Sequence, residues 1–198
     1  MKKPVALFDF DNTLAQGDSI TRLLIHDIKK RPYHFFLLVP VGIYYIGHKL
    51  HLCSFESAKE KILFPLRYMN EEQRQQFYKE EVAIHYYPNV IKELKKKKEE
   101  GYFVIVCTAS SEAYMKYHDL PIDAMLGTKV ENGKIIGKNC KNEEKVPRIL
   151  ACLKEHHIEI DYENSYGYSD SDSDLPMLSL VKHKKRILLK TGKMVDFE

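Results

Sequence analysis

The sequence predicts an α/β fold, in which a Rossmann-like parallel sheet forms the core and an all-helical cap is inserted after the first strand. A short apolar run before Asp9 has no helical period, which is typical of a strand buried on both faces. From residue 102 onward, apolar strands alternate with helical segments, as in a mainly parallel sheet. Residues 16–87 between them show helical patterns without a strand signal. We therefore expect a core of residues 1–15 and 88–198 and a cap of residues 16–87.

Size, charge and cysteine content limit the class of protein. A chain of 198 residues with 44% hydrophobic and 30% charged residues has the composition of an ordinary soluble globular protein. The net charge of +3 is too small to imply a broad nucleic-acid surface. The four cysteines form no Cys-x-x-Cys pair, so neither a zinc site nor a thioredoxin-type site is indicated. We expect reduced thiols in the cytoplasm and no secretion signal, because two aspartates interrupt the first apolar run.

The cap begins with an amphipathic helix and continues into the most apolar segment of the chain. Ser19 is predicted to cap a helix with apolar residues at helical spacing. Residues 35–46 are almost entirely apolar, but a 12-residue helix reaches only ~18 Å, against ~30 Å of hydrocarbon in a bilayer. Pro40 and Gly42 are expected to kink it. We favour a buried helix of the cap; the alternative is peripheral contact with a membrane, near the basic residues Lys30, Arg31 and Lys49.

Local signals place the remaining elements. Asn70 and Gln73 form a capping-box pattern that opens a helix reaching about residue 87, where Pro88 is expected to break the chain. A second helix should end at Gly101. Beyond it we predict strands at 102–107, 164–168 and 186–189, helices at 112–117 and 143–155, and a hairpin turn at Asn132-Gly133.

Polar side chains follow the predicted strands or begin helices at four places. They are Asp9 with Asp11, Thr108, Lys145, and Asp170 with Asp174. Because parallel strands end at one edge of a sheet, these groups can converge. Carboxylates can hold a divalent cation, a hydroxyl can bind a phosphoryl oxygen, and an ammonium group can neutralise phosphate charge. Together they predict phosphoryl-transfer chemistry, in which a carboxylate can act as nucleophile.

Each group also has a simpler interpretation. Thr108 can be a helix cap, and Lys145 can be a surface lysine. Calcium loops are excluded at both acidic clusters, since such loops require Gly at the sixth position and Glu at the twelfth. Those positions hold Leu14 and Ile20 in the first cluster, and Leu175 and Val181 in the second.

The four polar groups resemble, in order, the motifs of the haloacid dehalogenase phosphatase superfamily, and the opening segment resembles its phosphoserine-phosphatase-like branch. The matching residues are Asp9-Phe10-Asp11-Asn12-Thr13, Thr108 after an apolar strand, Lys145, and the segment from Gly167 through Asp170 and Asp174 to Pro176. In that branch a helical cap follows the first motif, as the helical segment does here.

The resemblance implies a mechanism and a cofactor. Asp9 would be the nucleophile that forms an aspartyl phosphate, and Asp11 would be the acid and base. Mg²⁺ would be held by the Asp9 carboxylate, the Asp11 carbonyl and Asp170, with Asp174 in support. Thr108 and Lys145 would bind the transferring phosphoryl group.

The resemblance leaves the substrate open. We expect a small organic phosphate, although of the acidic residues that follow the first motif in phosphoserine enzymes only Asp18 is present. A phosphatidylglycerophosphate-type lipid phosphate is the alternative, because the apolar segment 35–46 resembles the cap of such enzymes. A phosphotransferase acting on an alcohol and a non-catalytic phosphate-binding module are further alternatives. The oligomeric state is not predicted.

Overall fold

A six-stranded sheet, whose strands are numbered along the chain, forms the centre of the molecule in a computed structural model that describes residues 1–197. From edge to edge it contains β10 (Lys193–Asp196), β9 (His183–Leu188), β8 (Tyr166–Ser169), β2 (Val5–Phe8), β3 (Phe103–Ser111) and β4 (Ala124–Thr128). All neighbouring strands are parallel except β10, which runs antiparallel to β9. Outside the sheet, β1 (Lys2–Lys3) pairs with β7 (Glu159–Ile160), and β5 (Val130–Glu131) pairs with β6 (Lys134–Ile135). The predicted α/β class is confirmed.

The central strand β2 is completely buried, because apolar side chains cover both faces of the sheet. Phe8 packs on one face, where its ring stacks on Tyr168 with 4.2 Å between centroids. Leu7 points to the other face, into a cluster with Ile105 and Ile149. This position brings the end of β2 to the middle of the sheet edge.

Between β2 and the rest of the sheet the chain is helical. This part contains α1 (Ser19–Lys30), α2 (Leu38–Lys49), α3 (Phe55–Ile62) and α4 (Glu71–Phe77), with 3-10 turns at Pro32–Leu37, Phe64–Arg67 and Ala83–His85 and a π-helical turn at Tyr78–Val82. The later helices are α5 (Pro88–Glu99), α6 (Glu112–Met115), α7 (Lys145–Glu155) and α8 (Leu175–Leu178). Among the described residues, no helix combines the length and the apolar character needed to cross a bilayer.

Two predicted helix boundaries lie at slightly different residues in the structure. Asp18, not Ser19, caps α1: its carboxylate accepts a hydrogen bond of 2.6 Å from the Thr21 amide, whereas Ser19 is the first helical residue and is buried. The predicted break lies at Tyr86 and Tyr87, just before Pro88, and Pro88 is itself the first residue of α5, since proline lacks the amide hydrogen that the first helical turn leaves unpaired anyway. The capping box is confirmed, with reciprocal hydrogen bonds of 2.8 and 3.0 Å between Asn70 and Gln73.

The preferred interpretation of residues 35–46 is also wrong. No residue of α2 is buried, and the side chains of Phe36, Ile43 and Ile46 are among the most exposed large apolar groups of the protein. The helix continues through Pro40 without a break, because proline is tolerated in the first turn.

The sheet is larger than predicted. The strand predicted at 102–107 continues to Ser111, so Thr108 lies inside β3 rather than after it. Strands β1, β4, β7 and β10 were not predicted. The hairpin at Asn132 and Gly133 is confirmed, and both residues have the positive φ values, 48° and 70°, that a tight hairpin turn needs.

Candidate active site

Asp9 and Asp170, one residue from each acidic cluster, meet at the edge of the sheet. Asp9 follows β2 and Asp170 follows β8, and these strands are parallel neighbours. The hydroxyl of Thr13 lies 3.3 Å from a carboxylate oxygen of each aspartate and accepts a hydrogen bond of 3.1 Å from the Asp170 amide. Thr13 takes this position because the chain turns sharply after Phe10, whose carbonyl accepts hydrogen bonds from the next turn. The side chains of Asp9 and Asp170 therefore flank one hydroxyl.

Lys145 provides a positive charge beside Asp9. It is the first residue of α7 and is buried, with its ammonium nitrogen 2.6 Å from Asp9 and 2.6 Å from Asp174. The other oxygen of Asp174 accepts a hydrogen bond of 2.7 Å from Ser169. Burial by itself would lower the pKa of Lys145, but the two carboxylates outweigh burial and raise it. Lys145 is thus a fixed cation between two carboxylates.

The pKa of Asp9 is raised as well. Burial is the main cause, and the nearby Asp174 adds to it, whereas Lys145 acts in the opposite direction; the result is a pKa of about 7. A carboxylate in this environment carries its negative charge only at a cost, which further positive charge would offset. The site is therefore suited to bind a cation next to Asp9.

The carboxylate of Asp11 is hydrogen-bonded to two serines. Its carboxylate accepts hydrogen bonds from the Ser19 amide at 2.8 Å, from the Ser19 hydroxyl at 3.2 Å and from the Ser110 hydroxyl. Burial raises the pKa of Asp11 and the nearby Asp18 adds to this effect, while the hydrogen bonds from Ser110 and Ser19 oppose it; the resulting pKa is about 6. The hydroxyls of Ser19 and Ser110 are 2.6 Å apart, and Tyr114 contacts Ser19 at 3.0 Å. This network holds the Asp11 carboxylate in one orientation.

A cavity of about 450 Å³ lies over these groups. Its walls include Asp9, Asp11, Thr108, Lys145, Asp170 and Asp174. The 16–87 helical segment provides a second wall, formed by the apolar side chains of Ile20, Leu24, Phe55 and Ile62. All six predicted site residues therefore line one cavity, although they come from distant parts of the chain.

Lys59 of α3 reaches this cavity from the helical segment. Its ammonium group is buried and donates hydrogen bonds to the Ala109 carbonyl at 2.5 Å and to the side-chain carbonyl of Asn139. Burial lowers the pKa of Lys59 to about 8, although the nearby Asp11 opposes the shift. Lys59 therefore ties the helical segment to β3 beside the site.

The residues that could hold a metal are few and offer only oxygen. Within residues 1–197 no three His, Cys, Asp or Glu side chains gather into a metal-binding group. Asp9 and Asp170, on either side of the Thr13 hydroxyl, contribute two carboxylates, and burial raises the pKa of Asp170. Mg²⁺ is commonly held by one or two carboxylates while it keeps several waters, whereas Ca²⁺ takes six to eight oxygen ligands. The donor set fits Mg²⁺.

Several residues around the site were not predicted from sequence. Thr13 was named only as the last residue of the first motif, without a role, and Ser19 only as a helix cap. Ser110 lies two residues after Thr108, and this closeness to a predicted site residue was the one available indication of its position at the site. Lys59 had no signal, because a lysine on an amphipathic helix is ordinarily a solvent-exposed residue.

Comparison with known proteins identifies the family. The model of the haloacid dehalogenase-like hydrolase family matches residues 6–179. A histidinol-phosphatase from Neisseria meningitidis serogroup C (strain 8013) is 26% identical over 200 residues, which cover 90% of this chain and 87% of the relative.

Two solved structures share the fold. A protein of unknown function from Bordetella pertussis Tohama I has a TM-score of 0.74 at 19% identity, covering 93% of this chain and 89% of the other. A phospho-aspartyl intermediate analogue of phosphoserine phosphatase has a TM-score of 0.63 at 19% identity, covering 93% of this chain and 86% of the other. The predicted family and the predicted phosphatase class of enzyme are confirmed: this chain belongs to the haloacid dehalogenase-like hydrolase family.

Proposed function

We propose that the protein is a magnesium-dependent phosphomonoesterase that hydrolyses a small organic phosphate through an aspartyl phosphate on Asp9. The observation that carries this proposal is the position of Lys145, whose ammonium group lies 2.6 Å from both Asp9 and Asp174 at the base of the cavity. A buried cation beside a buried carboxylate matches the charge of a phosphoryl group that approaches that carboxylate.

In the proposed first step, a carboxylate oxygen of Asp9 attacks phosphorus. A bond between that oxygen and phosphorus forms, while the bond between phosphorus and the ester oxygen breaks. Asp11 donates its proton to the departing alcohol. In the second step the oxygen of a water molecule forms a bond to the phosphorus of the aspartyl phosphate while Asp11 takes a proton from that water. The bond between phosphorus and the Asp9 oxygen breaks, and inorganic phosphate leaves. Asp11 thus returns to its protonated form, and Asp9 returns to a carboxylate.

The surroundings of Asp11 support its part in both steps. The hydrogen bonds from Ser19 and Ser110 fix the orientation of its carboxylate. Its pKa of about 6 lies close to neutral pH, where a carboxyl group can both donate and accept a proton.

We assign Thr108 and Lys145 to the transferring phosphoryl group. Both are buried side chains in the wall of the cavity. Asp9, the carbonyl of Asp11 and Asp170 would hold Mg²⁺, with Asp174 in support through its contact with Lys145. When bound, the ion supplies positive charge that stabilises the phosphoryl oxygens.

We propose that residues 16–87 act as a cap and that residues 1–15 and 88–198 form the catalytic core. The contact of Lys59 with Ala109 and the apolar wall formed by α1 and α3 support this division. A cap in this place would exclude water from the phosphoryl group and would select the rest of the substrate.

The cavity supports a substrate with one phosphate and a compact organic part. A volume of about 450 Å³ is in the range of small-molecule sites. The apolar side chains of Ile20, Leu24 and Phe55 can contact the organic part, and Lys59 lines the same cavity. Histidinol phosphate and phosphoserine, named by the relatives, are compounds of this size. A lipid phosphomonoester is the second candidate, which the exposed apolar side chains of α2 favour.

The test of the nucleophile is Asp9→Asn assayed with p-nitrophenyl phosphate in the presence of Mg²⁺. We expect no measurable turnover with unchanged circular dichroism. Asp172→Asn is the matched control, because Asp172 lies in the acidic segment that also contains Asp170 and Asp174 but is exposed and paired with Arg186. Turnover by Asp9→Asn at the rate of the control would remove Asp9 from the proposed role.

The metal and the substrate are tested separately. Removal of divalent ions by EDTA should stop turnover, and Mg²⁺ should restore it; full activity after exhaustive chelation would contradict the proposed dependence. A panel of phosphorylated metabolites together with phosphatidylglycerophosphate, ranked by kcat/KM, would identify the substrate class. A preference for the lipid would favour the second candidate.

A further inference from the structure

The surface formed by residues 33–52 is unusually apolar for a part of the protein that water can reach. Phe36 is 76% exposed and Leu52 is 79% exposed. The other exposed large apolar side chains of this surface, here called the α2 surface, are Tyr33, Phe35, Val39, Ile43, Tyr45, Ile46 and Leu50. Its four aromatic rings alone present on the order of 500 Å², as much as the largest apolar patch of a typical monomer.

The sequence pattern of α2 places apolar side chains on its outer face. Val39, Ile43, Ile46 and Leu50 follow one another at helical spacing and are all exposed. The opposite face, with Val41 and Tyr44, is also apolar and only half-buried. A helix that is apolar all round is ordinarily covered by other protein or by lipid. The described chain provides no cover for the outer face of α2.

The charged side chains of the segment that forms the α2 surface all have the same sign. Residues 28–55 contain no Asp or Glu, although acidic residues make up 28 of the 198 residues of the chain. The segment contains Lys29, Lys30, Arg31 and Lys49. Arg31 is bound to Asp27, but the three lysines form no ion pair within residues 1–197. Two copies of this surface would bring like charges together, whereas an anionic surface would be attracted to it.

We propose that the α2 surface docks on an anionic lipid bilayer. The outer side chains of α2 would enter the boundary between headgroups and acyl chains, and Lys29, Lys30 and Lys49 would contact lipid phosphates. A helix of 12 residues, ~18 Å long, can lie in this boundary but cannot cross it. The α2 side chains do not line the cavity, so docking leaves the proposed hydrolysis of phosphate unchanged.

The experiment is co-sedimentation of the full chain with vesicles of phosphatidylcholine, with and without about one third phosphatidylglycerol. We expect binding to the anionic vesicles that weakens with added salt, and little binding to the neutral ones. Phe36→Ser/Ile43→Ser should lower the partition coefficient at least tenfold, at ~25 cal/mol for each Å² of buried apolar surface. Lys29→Gln/Lys30→Gln should lower it roughly 30-fold at low salt.

The matched control is Leu150→Ser/Leu189→Ser, which removes two exposed apolar side chains from the core part of the chain. It should bind vesicles as the unmodified protein does. Hydrolysis of p-nitrophenyl phosphate and the melting temperature should be the same in all four proteins, which shows that the variants fold. Absence of binding to anionic vesicles would overturn the proposal. Equal losses of vesicle binding in the control and in the Phe36/Ile43 variant would also overturn it. A dimer in light scattering that only the Phe36/Ile43 variant abolishes would overturn it as well.

Discussion

Ser110→Ala tests whether the hydrogen bonds around Asp11 contribute to catalysis. The Ser110 hydroxyl donates to the Asp11 carboxylate and contacts the hydroxyl of Ser19 at 2.6 Å. Alanine keeps the backbone and most of the side-chain volume but removes this donor. The Asp11 carboxylate would then keep only its two hydrogen bonds from Ser19.

The size of the effect follows from the type of bond that is lost. A hydrogen bond to a charged group contributes about 1.5–3 kcal/mol. Since about 1.4 kcal/mol corresponds to a factor of ten in rate, the expected decrease in kcat is about 10- to 150-fold. The remaining bonds from Ser19 hold Asp11 in place, so we expect a value near the lower end. KM should change little, because Ser110 does not line the cavity.

The assay is steady-state hydrolysis of p-nitrophenyl phosphate with saturating Mg²⁺, together with a thermal melt. Ser111→Ala is the matched control. Ser111 is a buried neighbour that caps α6 by accepting a hydrogen bond of 3.2 Å from the Ala113 amide, whereas the side-chain hydrogen bonds of Asp11 come from Ser19 and Ser110. Loss of this cap should cost about 0.5–2 kcal/mol of stability and leave kcat unchanged. A kcat of Ser110→Ala within about twofold of the unmodified enzyme would refute the reasoning.

Three further predictions concern stability. Lys145→Met leaves the buried carboxylates of Asp9 and Asp174 without their shared cation. In urea titration without Mg²⁺, the free energy of unfolding should therefore fall by about 3–5 kcal/mol. An unchanged unfolding midpoint would contradict this prediction. Gly167→Ala should destabilise the protein by about 1–3 kcal/mol, because the added Cβ would lie 2.7 Å from the Leu178 side chain. Gly42→Ala meets open space and should stabilise α2 by up to about 1 kcal/mol. Changes of the same sign in the free energy of unfolding of the two variants would refute the comparison. The pKa of Lys59 in the folded protein, about 8, lies below its ordinary 10.5, so the folded protein binds this proton more weakly than the unfolded chain does. The free energy of unfolding should therefore rise by about 3 kcal/mol as the pH increases from 8 to 10.5, and Lys59→Met should lack this rise. Equal pH dependence of stability in the two proteins would exclude this explanation.

Short-range patterns were predicted well, because their physical causes lie within a few residues. The reciprocal hydrogen bonds of Asn70 and Gln73 depend on positions three apart. The turn at Asn132 and Gly133 depends on two residues that tolerate positive φ. Burial of the strand before Asp9 follows from its continuous apolar run.

Elements that depend on neighbours were predicted poorly. The apolar composition of α2 suggested burial, but composition does not show whether another layer covers a helix. Strands β4 and β10 were missed, because an edge strand has fewer covering neighbours and so a weaker apolar pattern. The network of Ser19, Ser110 and Tyr114 was missed as well, since isolated hydroxyls carry no periodic signal.

The sequence by itself determined the class of fold, the order of most elements and six side chains of complementary chemistry, since these depend on local pattern and residue type. Only the tertiary structure decided that Lys145 lies between Asp9 and Asp174, although 136 residues separate Lys145 from Asp9. It also decided that Asp11 faces Ser110 and that α2 faces outward. The physical reason is that such contacts depend on how distant segments pack around the sheet, and packing is a property of the whole chain.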